Sequence, residues 1–326
     1  MNDVGFALVL ALAWFATVNV VASGFVAVMA AALDRVIARF QAPTAARLLF
    51  VLRLLPGVVS VFFTLALFLP AYWRLEPAGA EESAGYSLLL LAGLGALILA
   101  MTAWRTLAAL RTTGWIGRAW LKRSERGPHD AAGVPIYHVE DPAPIVSLVG
   151  VWRPRLFVST PVLQSLTEPE LEASIAHELA HYRAGDNLKR VIVACSPDVL
   201  LLAGVGRRVE DQWRAALEFA ADARAVGDDR LRALNLVSAL VKVARLMPAP
   251  RVPLLAAGSS LYDGALLTAR IGRLLEPAGT PRSSLAVLPM WPVSLAGLAL
   301  FAALLPSQTV WVVVHLATEG LVRFLP

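Results

Sequence analysis

Two histidines and a glutamate near the middle of the chain have the residue types and the spacing of a zinc site, in the order His177-Glu178-x-x-His181. In a helix, residues four apart lie on one face, so both imidazoles would point at one place. Glu178 would lie beside them, within reach of a water molecule bound there. These are the groups that a Zn²⁺-dependent hydrolase needs, with Glu178 as the general base.

The sequence around the motif predicts the helix that this geometry requires. Thr167-Glu168-Pro169-Glu170 has the pattern of a capping box with proline in the first turn, so the helix should begin near Glu168. Apolar residues then recur at steps of three and four, and Gly185 is a natural helix end. The apolar residues are Leu171, Ile175, Leu179 and Tyr182.

A third metal ligand is expected from a second amphipathic helix, predicted from Arg207 to Val226. Hydrolytic zinc usually has three protein ligands and one open position. We choose Glu218 because its neighbours are small or apolar, as expected where a helix lies close against a site. Glu210 and Asp211 lie among arginines instead, and they look like a solvated ion-pair face.

Asp222 follows Glu218 by one turn and shares its face. We expect its carboxylate to accept a hydrogen bond from a ligand imidazole and to hold that ring in orientation. The alternative is an ordinary pair with Arg224 or with a nearby backbone group.

The composition places this site in an integral membrane protein. Of the 326 residues, 57% are hydrophobic and 16% are charged, and the mean hydropathy of +0.64 exceeds that of an ordinary soluble domain. The single cysteine, Cys195, excludes an internal disulfide framework. Arginine dominates the basic residues and lies next to apolar runs, without a basic stripe interleaved with aromatics, so we expect no nucleic-acid partner.

Residues 1–126 are predicted to form a membrane domain, and residues 283–326 a second membrane segment. The predicted spans are 4–33, 54–72, 86–104 and 285–305. Within the first span, Asn19 is expected to face another helix. The hydrophobic stretch 308–325 is short, and we favour an interfacial helix over a fifth span.

The distribution of arginine and lysine predicts the orientation of the protein. Basic residues crowd the first and third connections, whereas the second has only Arg74. By the positive-inside rule, the N-terminus lies outside and the zinc helix faces the cytoplasm of a multi-pass protein in a bacterial-type inner membrane. The residues assigned to the first connection are Arg35, Arg39, Arg47 and Arg53, and those assigned to the third include Arg105, Arg111, Arg118 and Lys122.

Residues 127–282 have a mixed composition and are predicted to form a zincin-like α+β domain inserted into a mainly α membrane protein of four or five spans. Short strands are predicted at 136–139, 145–149 and 155–158. An edge strand beside the zinc helix could hold an extended peptide, or the sheet could simply pack on the helix. The break at Ser196-Pro197-Asp198 predicts two short helices, buried in the domain or lying shallowly in the membrane.

A set of motifs in this domain resembles a known family. The zinc motif is followed by Asp186 and by Glu218-x-x-x-Asp222, and it is preceded by Gly150-x-x-x-Pro154-x-Leu156-Phe157-Val158-x-x-Pro161. Together they resemble the gluzincin-like membrane metallopeptidases of the antirepressor or signal-transducer type, which include the β-lactam-sensing receptor proteases. The resemblance covers roughly residues 143–226 and implies Zn²⁺ held by His177, His181 and Glu218, with Asp186 and Asp222 behind them. Leu266-x-x-x-Arg270-Ile271-x-x-Leu274 resembles a late helix of such domains.

The resemblance implies regulated cleavage of a cytoplasmic protein or peptide, such as a transcriptional repressor, by an enzyme whose partners are the lipid bilayer and a membrane or repressor protein. Two alternatives stay open: a housekeeping membrane protease of the heat-shock or prenyl-protein-processing type, and a non-catalytic membrane adaptor. Because the sequence ends at Pro326, soon after the last predicted span, we expect no extracellular penicillin-binding sensor, in contrast to the β-lactam receptors. We therefore expect control by a partner, by the lipid or envelope state, or by substrate presentation, and no direct effect of β-lactams.

Overall fold

The computed structural model describes residues 3–37, 39–75, 85–199, 205–247, 266–276 and 308–324. The helices are α1 (Asp3–Ile37), α2 (Ala42–Phe62), α3 (Leu69–Leu75), α4 (Tyr86–Lys122), α5 (Thr160–Ser165), α6 (Glu168–Ala184), α7 (Asp186–Cys195), α8 (Val205–Val226), α9 (Arg230–Leu246), α10 (Leu267–Leu275) and α11 (Gln308–Phe324). The strands are β1 (Ser124–Ala131), β2 (Val134–Val139), β3 (Val146–Val149) and β4 (Arg155–Ser159). The mainly α architecture with one small sheet is the fold class that the sequence predicts.

Three helical segments in the described ranges are long and apolar enough to cross a membrane: Val4–Ala32, Ala42–Leu75 and Tyr86–Lys122. The second joins α2 to α3 through a π-helical segment, Phe63–Phe68. The first three predicted spans, 4–33, 54–72 and 86–104, overlap these segments, and two of the helices extend well beyond them. Helix α2 begins 12 residues before position 54, and α4 continues 18 residues past position 104. The predicted span 285–305 lies outside the described residues.

Arg47 and Arg53 were assigned to a connection, and that assignment is wrong. Both lie within α2, and the side chain of Arg53 is buried. Its guanidinium pairs with the Asp198 carboxylate at 2.7 Å, so it has a partner without reaching water. A charged residue so paired is compatible with a helix at membrane depth.

Helix α11 packs lengthwise against the membrane helices, and the interfacial placement that we favoured stays a prediction. The indole N–H of Trp14 in α1 donates to Thr318 Oγ1 at 3.1 Å. Near the other end of α11, the Arg74 guanidinium lies 3.9 Å from the ring centroid of Trp311. Val314, between them, is buried in a cluster with apolar residues of α1, the π-helical segment and α4. Helix α11 therefore belongs to the bundle.

The four strands form one sheet in the order β1-β2-β4-β3. Strands β2 and β4 are parallel, and the other two pairs are antiparallel. The three predicted strands appear within two residues of their predicted bounds, whereas β1 was not predicted. Its sequence, Ser-Glu-Arg-Gly-Pro-His-Asp-Ala, lacks the alternation of apolar residues that marks a strand, and its side chains are mostly exposed.

Strands β3 and β4 are buried on both faces of the sheet, because most of their residues are apolar. Phe157 in β4 packs on the end of α4, where its ring lies 5.5 Å from that of Trp120. Leu156 and Val158 point the other way, into the main core with residues of α6 and α9. Alternate residues of a strand face opposite sides, so a continuous apolar run gives this double burial. The sheet thus links the membrane helix α4 to the helix that carries the histidines.

Candidate metal centre

Helix α6 has the bounds and the caps that its sequence predicts. The capping box is formed in both directions, and the Thr167 backbone N–H donates to Glu170 Oε2 at 2.7 Å. At the other end, Gly185 takes the left-handed conformation with φ 67° and donates its N–H to the carbonyls of His181 and Tyr182. Glycine adopts this conformation at little cost, so it lets α7 start immediately after α6. That corner places Asp186 next to His181.

The two histidines lie together on the buried face of α6. Both side chains are fully buried, and their ring centroids are 4.8 Å apart with the planes at 87°. The four-residue spacing produces this proximity, because residues four apart lie on one side of a helix. The two rings can therefore present nitrogens to one point between α6 and α8.

Glu218 in α8 lies opposite the histidines. Its Oε2 is 3.4 Å from His177 Nε2, and its Oε1 is 3.3 Å from His181 Nε2. One ligand atom from each of the three residues lies within 4.8 Å of the others. Ligands that bind zinc tetrahedrally at about 2.0–2.1 Å are about 3.3 Å apart, so these separations fit such a centre.

The hydrogen bonding of these atoms also fits a metal. His181 Nε2 and Glu218 Oε2 are buried and have no hydrogen-bond partner among the described residues. Buried polar atoms of folded proteins are nearly always satisfied, and exceptions call for an explanation. Two imidazoles and one carboxylate form a ligand set that zinc uses in hydrolytic enzymes, so a bound cation would satisfy both atoms.

Two aspartates hold the other ring nitrogens. Asp222 Oδ1 lies 2.9 Å from His177 Nδ1, and Asp186 Oδ2 lies 2.9 Å from His181 Nδ1. A carboxylate at Nδ1 favours the tautomer that carries its proton there, which leaves the Nε2 lone pair for a metal. Lys189 Nζ, 2.8 Å from Asp186 Oδ1, fixes that carboxylate in turn.

The charges of the centre shift the pKa values of its groups. Burial alone would lower the pKa of His181, but the carboxylate of Glu218 and the hydrogen bond to Asp186 raise it to about 9. Burial alone would raise the pKa of Glu218, but charged His181 holds it well below the usual range. Burial and Arg270 oppose each other in the same way at Asp222, and Arg270 prevails to lower its pKa. In the metal-free protein His181 therefore carries a proton on Nε2 as well as on Nδ1, and a metal that binds at Nε2 would displace the first of these. The carboxylates are ionised, as a cation site requires.

Arg270 in α10 is the site residue that sequence reasoning missed. Its Nε and Nη2 donate to the two oxygens of Asp222 at 2.8 and 2.6 Å, and its Nη1 lies 3.3 Å from Glu218 Oε2. The side chain is only 1% exposed. Arg270 thus fixes the two α8 carboxylates together. The signal was the late motif Leu266-x-x-x-Arg270-Ile271-x-x-Leu274, which fixes a helix but not the partners of its arginine.

Glu178 lies on α6 between the histidines and the sheet. It is fully buried, and its Oε2 accepts a hydrogen bond from the Leu148 backbone N–H of β3 at 3.0 Å. That bond fixes the orientation of the carboxylate relative to α6. The position beside the histidines is the one that a base acting on a bound water needs.

Strand β3 is the edge strand nearest to α6, but it is covered at Leu148. The Asn187 side-chain amide donates to the carbonyls of Leu148 and Gly150 at 3.2 and 3.1 Å. All four residues of β3 are buried. At this point the structure favours the simpler alternative, in which the sheet packs on the helices. A peptide that paired with the strand at Leu148 would have to displace Asn187.

Comparison with known proteins gives two matches. Residues 145–248 match Peptidase family M48, a range that includes His177, Glu178, His181, Glu218 and Asp222 and ends before Arg270. A Protease HtpX homolog of Albidiferax ferrireducens (strain ATCC BAA-621 / DSM 15236 / T118) is 30% identical over 158 residues, which are 45% of this chain and 54% of that protein. The chain thus spans about half the length of this curated relative.

These matches and the three apolar helices support a membrane metalloprotease. The matched family and the His177, His181 and Glu218 cluster agree on a metal-dependent peptidase chemistry. The antirepressor type, which the motifs resemble, is a finer assignment than these matches reach.

Proposed function

We propose that this chain is a membrane-embedded, zinc-dependent endopeptidase that cleaves a protein substrate at the cytoplasmic face. The observation that carries the proposal is the convergence of His177, His181 and Glu218. Each imidazole Nε2 lies 3.3–3.4 Å from a carboxylate oxygen of Glu218, and one ligand atom of each residue lies within 4.8 Å of the other two. Asp186 and Asp222 are assigned the role of holding the imidazoles, and Glu178 the role of the base.

The residues would divide the chemistry as follows. When bound, zinc lowers the pKa of a water molecule and polarises the scissile carbonyl. Glu178 accepts the proton of that water and delivers it to the leaving amine, and the Leu148 N–H keeps its carboxylate in place. Arg270 keeps Glu218 and Asp222 ionised and in position, since it contacts both.

The test is the Glu178→Gln variant of the full chain in lipid nanodiscs. Glutamine keeps the size and can still accept from Leu148, but it cannot take a proton, so peptide hydrolysis should fall by about 10²–10⁴-fold. Metal content should stay at one zinc per chain. Glu172→Gln, at an exposed position of the same helix, is the matched control. Equal activity of the Glu178→Gln and wild-type proteins would overturn the mechanism.

The orientation, with the N-terminus outside and residues 127–282 as a cytoplasmic peptidase domain, is supported by the basic residues after each odd-numbered span. A Cys195→Ala background removes the native thiol. In intact cells, a membrane-impermeant reagent should label Gly79→Cys and should not label Pro128→Cys, in exposed β1. The reverse labelling pattern would place the active site outside.

Two substrate classes remain, and each has its own support. The motif set around His177 supports regulatory proteolysis, for example of a transcriptional repressor. The similarity to a Protease HtpX homolog supports a general membrane protease instead. We favour the first, and incubation with a neighbouring-gene repressor and with a panel of unfolded proteins separates them. A single cut confined to the repressor supports regulation, whereas cleavage across the panel supports the general protease.

A further inference from the structure

A short non-helical turn of the peptidase region lies inside the membrane bundle. It consists of Ser196, Pro197 and Asp198, between the end of α7 and the start of α8. The Asn19 amide of α1 donates to the Pro197 carbonyl at 3.1 Å, and its carbonyl oxygen accepts from the Val199 N–H at 3.0 Å. The same amide donates to Ser60 Oγ of α2 at 3.0 Å, so Asn19 joins both membrane helices to the turn.

Helix lengths give the depth of this turn. Asn19 lies about 24 Å along α1 from Asp3, and Ser60 lies about 22 Å before the end of α3, at 1.5 Å per residue. The hydrocarbon core of a bilayer is about 30 Å thick, so the turn lies within it if these ends mark the outer surface. Irregular backbone at this depth must be buried in protein with its polar groups satisfied. The bonds of Asn19 meet that requirement.

A buried ion-pair group surrounds the turn, and we call it the membrane cluster: Arg53, Arg105, Asp198 and Glu210. Arg53 Nη1 binds Asp198 Oδ2 at 2.7 Å, with both side chains 1% exposed. Arg53 Nε also lies 3.7 Å from Glu210 Oε2 in the second turn of α8, and Arg105 of α4 lies 3.6 Å from the same oxygen. Glu210 is therefore buried in this cluster, so our prediction of a solvated position was wrong for Glu210, whereas Asp211 is exposed. Glu210 also accepts a hydrogen bond from Arg214, one of the neighbouring arginines on α8.

Arg53 thus connects α2 to the turn that follows α7 and to α8, and both of these helices carry residues of the metal centre. Helix α7 begins with Asp186, which binds His181, and its Arg190 Nη2 lies 3.5 Å from Glu218 Oε1. Helix α8 carries Glu218 eight residues after Glu210, about 12 Å along its axis.

The packing between Glu210 and Glu218 is direct and apolar. Leu49 of α2 forms one buried cluster with Trp213 and Leu217 of α8, and the ring of Phe50 lies 5.8 Å from that of Trp213. Apolar surfaces of this kind can slide past each other with little loss of contact, whereas one buried ion pair selects a single register. The register of α8 against α2 determines where Glu218 lies.

We propose that Arg53 is a positioning residue for the metal centre, because its pairs with Asp198 and Glu210 set the register of α7 and α8 against the membrane helices and so place Glu218 opposite the histidines. This inference rests on the proposed function. It makes the membrane bundle part of the scaffold of the metal site.

The experiment compares zinc affinity, measured by competition with a chelator, in full-length proteins in nanodiscs. The double variant Arg53→Met with Asp198→Leu replaces the pair by apolar groups of similar size, a change that buried pairs often tolerate in stability. We expect zinc affinity to fall at least tenfold and the d–d absorption of the Co²⁺-loaded protein to change, while the melting temperature of the metal-free protein changes little. Arg53→Lys should recover part of the affinity.

Further variants keep the test decisive. If the double variant does not fold, Glu210→Gln removes the α8 charge that contacts Arg53, together with its pairs to Arg105 and Arg214, and leaves the 2.7 Å Arg53–Asp198 pair; it should weaken zinc binding several-fold. Its control is Asp211→Asn, an exposed neighbour in α8. Thr318→Val removes the Trp14–Thr318 hydrogen bond between α1 and α11, outside the membrane cluster, and should leave zinc binding unchanged.

The outcomes separate the two proposals. Wild-type protein that binds no stoichiometric zinc would overturn the proposed function. Wild-type protein that binds zinc, together with folded variants at Arg53 and Glu210 of equal affinity and equal Co²⁺ spectrum, would overturn only the positioning role. A loss of affinity that matches an equal loss of stability in the metal-free protein would also overturn it, because that pattern belongs to a general structural contact.

Discussion

The metal centre and the membrane cluster are both buried groups of charged side chains, but they differ in which atoms remain unsatisfied. In the metal centre they include Glu218 Oε2, a carboxylate acceptor, and His181 Nε2, which becomes an acceptor when a metal displaces its proton. In the membrane cluster they are donor atoms, Nε and Nη2 of Arg53 and Nη1 of Arg105, which make no hydrogen bond within the described ranges. Unsatisfied acceptors attract a cation, whereas unsatisfied donors repel one. The same degree of burial therefore serves ligand binding in one region and helix positioning in the other.

The difference also appears in how the two groups are fixed. In the metal centre, Asp222 and Asp186 contact the Nδ1 atoms of the two histidines, and Arg270 holds Asp222 in place. In the membrane cluster, Arg53 itself is the shared partner of two carboxylates from the peptidase region. An imidazole that is fixed through its Nδ1 keeps its Nε2 available to a metal. Arg53, whose charged partners lie on other segments of the chain, instead connects those segments to α2.

The largest effect is expected from a substitution in the metal centre, at the carboxylate of Glu218. Glu218→Gln removes the negative charge and one possible ligand oxygen from the metal centre, so zinc affinity should fall more than about 100-fold, beyond the range expected for outer groups. Metal content after dialysis, measured by mass spectrometry, checks this prediction. Asp211→Asn, exposed on the same helix, should retain its zinc. Retention of zinc by the Glu218→Gln protein would remove Glu218 from the ligand set.

A smaller effect is expected from a substitution of Asp222, which contacts the His177 imidazole and is not itself one of the proposed metal ligands. Asp222→Asn keeps the shape of the side chain but weakens its hold on His177 Nδ1 and on Arg270, so zinc affinity should fall about 10–100-fold. Chelator competition measures the change. An Asp222→Asn protein with wild-type affinity would show that Asp222 serves Arg270 alone and does not orient the imidazole.

The smallest effect is expected at a third charged contact, between Glu170 at the start of α6 and Lys242 of α9. This pair belongs to neither the metal centre nor the membrane cluster, so it serves as a reference. Burial would raise the pKa of Glu170, but hydrogen bonds from Lys242, Ser238 and Thr167 lower it to about 2. Its contribution to stability is therefore complete above the unfolded pKa of about 4.5 and is lost as the pH falls toward 2.

Lys242→Met should cost about 1 kcal/mol at pH 7, since the Lys242 side chain is partly exposed. Thermal unfolding of the metal-free protein at pH 7 and at pH 3 measures both the loss and its pH dependence. The difference between wild type and variant should shrink at pH 3. A difference that stays constant with pH would mean that Lys242 contributes by apolar packing of its stem.

The sequence predicted the parts of the site that depend on local spacing. The bounds of α6 follow from a capping box and a glycine, and the convergence of His177 and His181 follows from four-residue periodicity. Glu218 was predicted because its helix and its apolar neighbours are local features too. These relations involve residues a few positions apart, which is the range in which helix geometry is fixed.

The parts that could not be predicted depend on packing between distant segments. Arg270 is 48 residues from its partner Asp222, and Arg53 is 145 residues from Asp198. From composition alone, an arginine is assigned to a loop, because the sequence does not show which distant carboxylate neutralises its charge in the folded protein. That limit placed Arg53 in a connection instead of in α2. It also gave Glu210 a solvated position, although Glu210 is buried and pairs with Arg53 of α2 and Arg105 of α4 as well as with its sequence neighbour Arg214.

Gly57 of α2 has a consequence for how the protein is assembled. A Cβ atom at this position would lie 2.5 Å from Ser196 Oγ and 2.9 Å from the ring of Pro197, so the turn occupies the place of a missing side chain. Helices α1, α2 and α4 are synthesised before residue 196, and until then Arg53 lacks the carboxylate that it binds in the finished structure. Membrane insertion of α1, α2 and α4 is therefore a separate event from the completion of their packing. The packing can be completed only after the ribosome has translated Asp198.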